Sequence, residues 1–192
     1  MARKPRLIPL IRSVVDDSIH SSQPDLAFLA RELGALVHTA SDGRYLEQLN
    51  GLRRRAKGFS RWLISDSKRP PYSAFLLVWP PGHVTPLNEL RGRWGMELVI
   101  QGSLEVQEYQ LSDDGLAPTR KRMTWLGESD AISFDRDQHC AHRGRNLSSQ
   151  QAAITLHLAG ARQARYRLFE RVNESVWNVR SRIASINGRL TI

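Results

Sequence analysis

The chain has 192 residues, of which 41% are hydrophobic and 24% charged, and its formal net charge is +9 at pH 7. This length and hydrophobic content are sufficient for one domain with a buried core. The single cysteine, Cys140, excludes an internal disulfide framework and a zinc site of paired thiolates. No stretch is apolar enough to cross a bilayer, and the basic, proline-interrupted N-terminus lacks a signal-peptide cleavage site. We therefore expect a protein of the reducing cytoplasm.

The positive charge favours contact with anions, because a positive field raises their local concentration. The basic residues are spread along the chain, however, and no zinc-finger, helix-turn-helix or RNP-type signature accompanies them. We therefore expect neither nucleic acid nor membrane as the partner. A small molecule is the partner that we predict.

The N-terminal part has apolar residues spaced near i, i+3 and i+4, which predicts two or three short helices. The segments are LIPLIRSVVDDSI, PDLAFLARELGALVHTA and DGRYLEQLNGLRRRA. Ser22 or Asp25 could cap the start of the second helix, with Pro24 in its first turn. We expect residues 1–57 to be a helical region packed on the rest of the chain.

After Gly58 the pattern changes to short β-like runs divided by the turn-formers PPGH, SDDG and GESD. The runs are FSRWLIS, YSAFLLVW, MELVIQGSLEVQEYQL, TRKRMTWL, AISF, AAITLHLAG and ARYRLFERV. Strands of this length and spacing indicate an antiparallel sandwich or small barrel. The stretch after Asn173 is ambiguous, and we expect a helix followed by an edge strand there.

Two segments resemble the sequence motifs of the thiol dioxygenases, cupins typified by cysteine dioxygenase. Residues 142–148 (HRGRNLS) and 155–159 (TLHLA) match a second motif that reads HRVxNxS and then SLHxY. Upstream, WPPGHVTPLNELRGRWGMELVIQGSLE is similar to the first motif. The resemblance spans roughly residues 59–160. It implies a mainly β fold, a cupin-type antiparallel β-barrel (double-stranded β-helix), which we place at residues 58–192.

The resemblance also implies an Fe(II) cofactor held by three neutral imidazoles, two of them from a His-Asp-His in the first motif. His142 supplies the third imidazole. In place of His-Asp-His this chain has Asn88, Glu89 and Leu90, and leucine cannot ligate iron. The tyrosine of SLHxY is Ala159 here. Two metal positions and one phenol of the family are therefore replaced.

Other functional positions of the family are retained. FSRWLI resembles the segment whose arginine grips the substrate carboxylate, which corresponds to Arg61. Arginine suits that role because its planar fork makes two charge-assisted bonds to a carboxylate. By the same resemblance His157 orients a neighbour in the pocket, and Thr85 corresponds to its serine partner. Asn88 can still donate a hydrogen bond to a ligand.

A rearranged metal site could use His142 with Glu97 and His139, and His157 is a further candidate. Glu97 lies two residues after Gly95, so the two share a strand face if the strand is regular. A carboxylate buried in an apolar strand needs a partner. Without a metal, we expect that partner to be Arg61 or His142.

The sequence leads to one preferred function and two alternatives. The preferred one is O2-dependent oxidation of a small carboxylate-bearing, cysteine-like thiol to a sulfinate, at a non-canonical metal site. One alternative is a metal-free cupin that binds an anionic small molecule. The other is a metal-independent isomerase, lyase or cyclase with His142 or His157 as general base, since histidine suits proton transfer near neutral pH.

Overall fold

The computed structural model describes residues 6–40, 43–89, 93–134, 140–161, 165–173 and 176–190, except for the side chains of residues 43, 44, 46 and 165. It begins with three helices: α1 (Leu7–Ser18), α2 (Leu26–Thr39) and α3 (Gly43–Arg55). Asp25 caps α2, because its carboxylate accepts a hydrogen bond from the backbone N–H of Phe28. The helical periodicity of the N-terminal part is therefore confirmed.

Twelve strands follow within the described residues. They are β1 (Ser60–Lys68), β2 (Pro71–Trp79), β3 (Leu87–Glu89), β4 (Gly95–Gln101), β5 (Leu104–Leu111), β6 (Pro118–Leu126), β7 (Ala131–Phe134), β8 (Cys140–Asn146), β9 (Ala153–Ala159), β10 (Arg165–Arg171), β11 (Trp177–Ile183) and β12 (Gly188–Arg189).

The strands form two six-stranded sheets. The first sheet has the order β12-β1-β2-β9-β4-β7, and the second has the order β11-β10-β3-β8-β5-β6. Every pair among the described strands is antiparallel except β1 with β12. The predicted mainly β, cupin-type fold with an N-terminal helical region is confirmed.

The C-terminal stretch departs from its prediction. Residues Trp177–Ile183 form β11, which pairs antiparallel along its whole length with β10. The expected helix is therefore wrong, because the ladder offered by β10 outweighs the weak helical periodicity of WNVRSRI. The expected edge strand is present as β12, which lies at the edge of the first sheet beside β1.

The three helices cover the outer face of the first sheet. One hydrophobic cluster joins Ile11 of α1 and Leu33 of α2 to Leu76, Met96 and Leu156 of the sheet, and all five side chains are fully buried. This burial holds the helical region against the strands through the hydrophobic effect. No helix in the described part of the chain is long and apolar enough to cross a membrane.

A polar contact also ties α1 to the first sheet. The carboxylate of Asp16 accepts hydrogen bonds from the hydroxyls of Ser65 and Tyr72. Burial, with the nearby carboxylate, raises the pKa of Tyr72 to about 12. The phenol therefore stays a hydrogen-bond donor at neutral pH.

Candidate functional site

A cavity of about 120 Å³ lies between the inner faces of the two sheets. The first sheet contributes nine lining residues: Arg61, Ser73, Phe75, Leu77, Trp79, Glu97, Phe134, His157 and Ala159. The second sheet contributes Asn88, Leu104, Val106, His142, Gly144, Tyr166 and Leu168. A few polar groups thus face a mostly apolar space, which is typical of small-molecule sites.

Glu97 and His157 form the polar floor of this cavity. They are directly opposite each other on β4 and β9, and Phe75 of β2 is the next residue in the same row. The Nδ1 of His157 lies 2.7 Å from Oε2 of Glu97. Because an ionised carboxylate can only accept, Nδ1 carries the proton of this hydrogen bond.

The other oxygen of Glu97 is engaged as well. It accepts a hydrogen bond from the hydroxyl of Thr155, which in turn accepts one of 2.9 Å from the indole N–H of Trp79. Glu97 is 5% exposed, His157 7% and Thr155 0%. A buried network in which the polar groups are hydrogen-bonded fixes the positions of its side chains, so the carboxylate of Glu97 is held rigidly.

His142 enters the cavity from β8 of the second sheet. Its ring stacks on Phe134 of β7, with centroids 4.2 Å apart and planes at 15°. Burial lowers the pKa of His142 to about 3, and the neighbouring imidazole of His157 acts in the same direction. His142 therefore presents a neutral imidazole at physiological pH.

Arg61 enters the cavity from β1. Its guanidinium lies over the ring of Phe75, with 5.1 Å between Cζ and the ring centroid. Its Nε is buried and has no hydrogen-bond partner within the described residues. Burial lowers the pKa of Arg61, opposed by Tyr166 and Glu97. Arginine nevertheless keeps its proton in proteins, so a desolvated cation faces the cavity.

Thr85 and Asn88 reach the same cavity, but Thr85 has a different partner from the one expected. Its hydroxyl accepts a hydrogen bond of 2.9 Å from the backbone N–H of Gly144, so it fixes backbone and is not the partner of His157. Asn88 lies opposite His142 on the neighbouring strand, and its amide donates to the carbonyl of Pro86 at 3.2 Å.

The expected partner of Glu97 is also corrected. Neither Arg61 nor His142 bonds it, and its partners are His157 and Thr155. Sequence reasoning missed Thr155, although it lies two residues before His157 and so shares its strand face. Two positions of the motif argument, Leu90 and His139, lie outside the described residues.

The side chains described here do not fit an iron held by three imidazoles. Asn88 stands where one imidazole is implied, and both oxygens of Glu97 are already hydrogen-bonded. Among the residues with described positions, no group of three His, Cys, Asp or Glu side chains is arranged to hold a metal ion. The carboxylate–imidazole pair occupies donor atoms that a metal would need.

The model of the family cysteine dioxygenase type I matches residues 56–171, which is more than half of the chain. The chain belongs to this family. It is therefore a cysteine dioxygenase-like cupin, and the match spans the cavity residues from Phe59 to Leu168.

Solved structures similar to this chain include other cupins. A double-stranded β-helix protein from Klebsiella pneumoniae is 16% identical over 60% of this chain and 87% of its own, with a TM-score of 0.44. The cupin domain of Cnp3 from Schizosaccharomyces pombe is 11% identical over 57% and 72%, with a TM-score of 0.43. Hydroquinone 1,2-dioxygenase PnpCD is 12% identical over 57% and 68%, with a TM-score of 0.44. At these scores the likenesses carry no argument about the chemistry of the pocket.

Proposed function

We propose that this cysteine dioxygenase-like cupin binds a small carboxylate-bearing thiol, of the size of cysteine, in the cavity between its sheets. The observation that carries the proposal is the buried guanidinium of Arg61, which faces the cavity over Phe75 with its Nε unbonded. A buried N–H donor without an acceptor is costly, and a ligand carboxylate would remove that cost. Planar, bidentate pairing makes arginine the suitable partner for such a ligand.

The remaining walls suit the rest of such a molecule. Apolar side chains such as Leu77 and Val106 accept its carbon and sulfur atoms, and neutral His142 can bond a polar group without adding charge. Asn88 adds an amide at the same wall. The pocket therefore matches a short ligand with an acid at one end and a soft, weakly polar group at the other.

Binding is the part of the family function that this geometry supports best. Oxidation of the thiol by O2 to a sulfinate would require a ligand set for Fe(II) other than three imidazoles. The predicted set of His142, Glu97 and His139 would have to take Glu97 from its hydrogen bonds to Thr155 and His157, so the described geometry supports binding more than oxidation.

Calorimetric titration of the purified chain tests the proposal. We expect L-cysteine and 3-mercaptopropionate to bind and cysteamine, which lacks the carboxylate, to bind at least about tenfold more weakly, a difference of ~1.4 kcal/mol. Arg61→Gln should abolish this preference. Arg31→Gln, at an exposed position of α2, is the matched control and should bind as the wild type does. Equal binding of cysteamine, or unchanged binding by Arg61→Gln, would contradict the proposal.

A second candidate function is metal-independent proton transfer on the bound acid, of the isomerase, lyase or cyclase type. The observation that favours it is the Glu97–His157 hydrogen bond of 2.7 Å. A carboxylate that orients Nδ1 leaves Nε2 of the imidazole as a positioned base. Exchange of ligand C–H protons in D2O, followed by NMR, tests it. We expect exchange by the wild type and none by His157→Gln, and a wild type that exchanges no proton rules this function out.

A further inference from the structure

Tyr166 is a cavity residue that no sequence motif indicated. It lies on β10 of the second sheet, two residues before Leu168, so both side chains share the face of the strand that lines the cavity. Phe169, on the opposite face, packs into a separate cluster with Leu87 and Ala141. Strand alternation thus directs the phenol of Tyr166 into the site.

The phenol lines the same cavity as the guanidinium of Arg61 but comes from the opposite sheet. Arg61 belongs to β1 of the first sheet and Tyr166 to β10 of the second. Tyr166 also opposes the burial that lowers the pKa of Arg61, in keeping with their shared cavity. A ligand group held by Arg61 is therefore within the neighbourhood of Tyr166.

Ala159, a buried residue of β9, lines the same cavity. Its side chain is a single methyl group, which takes up little of the cavity. Tyr166 is partly buried, and its side chain lines the cavity. Its hydroxyl is therefore placed to meet a ligand in the cavity.

We propose that Tyr166 and Arg61 form a two-sided clamp for the ligand carboxylate, with the phenol donating to one oxygen while the guanidinium donates to the carboxylate from the facing sheet. This inference rests on the proposed binding function and makes Tyr166 its specificity-determining residue. The clamp joins the two sheets through the ligand. It selects an acid over the corresponding ester or amine, because an ester lacks the charge that strengthens both bonds.

Tyr166→Phe tests the clamp, because it removes the hydroxyl and keeps the ring. Binding of L-cysteine and of L-cysteine methyl ester is measured by calorimetry for the wild type, Tyr166→Phe and the control Tyr109→Phe. Tyr109 bonds Gln107 through its hydroxyl, and neither residue lines the cavity. We expect Tyr166→Phe to bind cysteine about tenfold more weakly, as for a hydrogen bond to a charged group, and to lose preference for the acid over the ester. Tyr109→Phe should match the wild type.

The outcomes separate the two proposals. If the wild type and Tyr166→Phe bind cysteine equally while Arg61→Gln does not, the clamp is overturned and the binding function stands. If the wild type binds neither cysteine nor 3-mercaptopropionate, the binding function fails, and the clamp fails with it. If Tyr166→Phe binds both cysteine and its ester tenfold more weakly, the hydroxyl does not distinguish the acid from the ester. That result would also overturn the clamp.

Discussion

Glu97 and His157 are cross-strand neighbours whose side chains are joined by a hydrogen bond of 2.7 Å between Oε2 and Nδ1. The pair lies on the floor of the cavity, and Thr155 bonds the second carboxylate oxygen. The family motifs imply iron at this cavity. In this chain the polar groups at that place include a carboxylate and an imidazole that are hydrogen-bonded to each other.

Replacing Glu97 should destabilise the protein. In Glu97→Gln a neutral amide replaces the carboxylate that accepts hydrogen bonds from Thr155 and His157, so both bonds lose the strengthening that the charge gives. We expect the free energy of unfolding to fall by about 1–3 kcal/mol. Urea denaturation measures it, with Glu32→Gln on the surface of α2 as the control, expected within about 0.5 kcal/mol of the wild type. A Glu97→Gln variant as stable as the wild type would show that the carboxylate is not held as described.

His142 should make the protein sensitive to acid. In the unfolded chain its imidazole takes up a proton near pH 6.5, whereas in the folded protein its pKa is lowered to about 3. The unfolded state binds more protons between these values, so the free energy of unfolding falls as the pH drops below about 6.5. In His142→Gln the stability lost between pH 7 and pH 4.5 should be smaller by about 2 kcal/mol.

Denaturation midpoints at the two pH values measure this difference. The control is His20→Gln, because His20 is exposed just after α1 and should leave the pH dependence of the wild type unchanged. If the stability of His142→Gln falls with pH as steeply as that of the wild type, the imidazole of His142 is not kept neutral by burial.

Most of the site was predictable from the resemblance to the family motifs, and Glu97 from strand alternation. Glu97 was expected to face inward from its apolar strand, and it lies on the cavity floor. Its partner was not predictable, because His157 is 60 residues away in the chain and the pairing depends on the register between β4 and β9. Local sequence patterns carry no information on such a register.

Thr85 and the C-terminal stretch show the same limit. The motif comparison placed Thr85 near the site, where it lies, but its hydrogen bond goes to the backbone of Gly144 across a β-bridge region. Trp177–Ile183 reads ambiguously by itself and becomes a strand because β10 offers a partner along its full length. The secondary structure of such segments is determined by the strand they pair with and not by their local propensity.

Gly144 departs from the valine of the HRVxN motif for a visible reason. A Cβ atom at this position would lie 2.6 Å from Cη2 of Trp79, whose indole N–H bonds Thr155. Gly144→Val should therefore displace the ring and lower the free energy of unfolding by about 1–3 kcal/mol, as overpacking does. Gly51→Ala in α3 is the control, because no atom lies within 4 Å of its added Cβ. We expect the free energy of unfolding of that control to rise by up to about 1 kcal/mol. A Gly144→Val variant as stable as the wild type would show that Trp79 does not restrict the side chain at position 144.

Restoring the first motif should create a metal site. Asn88 lies opposite His142 on β3 and β8, so a histidine at position 88 would bring two imidazoles together, and Leu90→His would add the third of the motif. We expect the double variant to bind about one equivalent of Fe(II) after anaerobic reconstitution, because metal affinity follows ligand identity and count. Adding His142→Ala should abolish that binding. A folded double variant without iron would mean that Asn88-Glu89-Leu90 is not at the metal position.

The most direct test of the account is a crystal structure of the wild-type chain soaked with L-cysteine and with Fe(II), with diffraction data recorded at the iron absorption edge. The account predicts the cysteine carboxylate within hydrogen-bonding distance of Arg61 and the Glu97–His157 bond intact. It also predicts no anomalous peak between His142 and Asn88. An iron peak at that place, ligated by His142 and Glu97, or a cysteine bound away from Arg61, would contradict it.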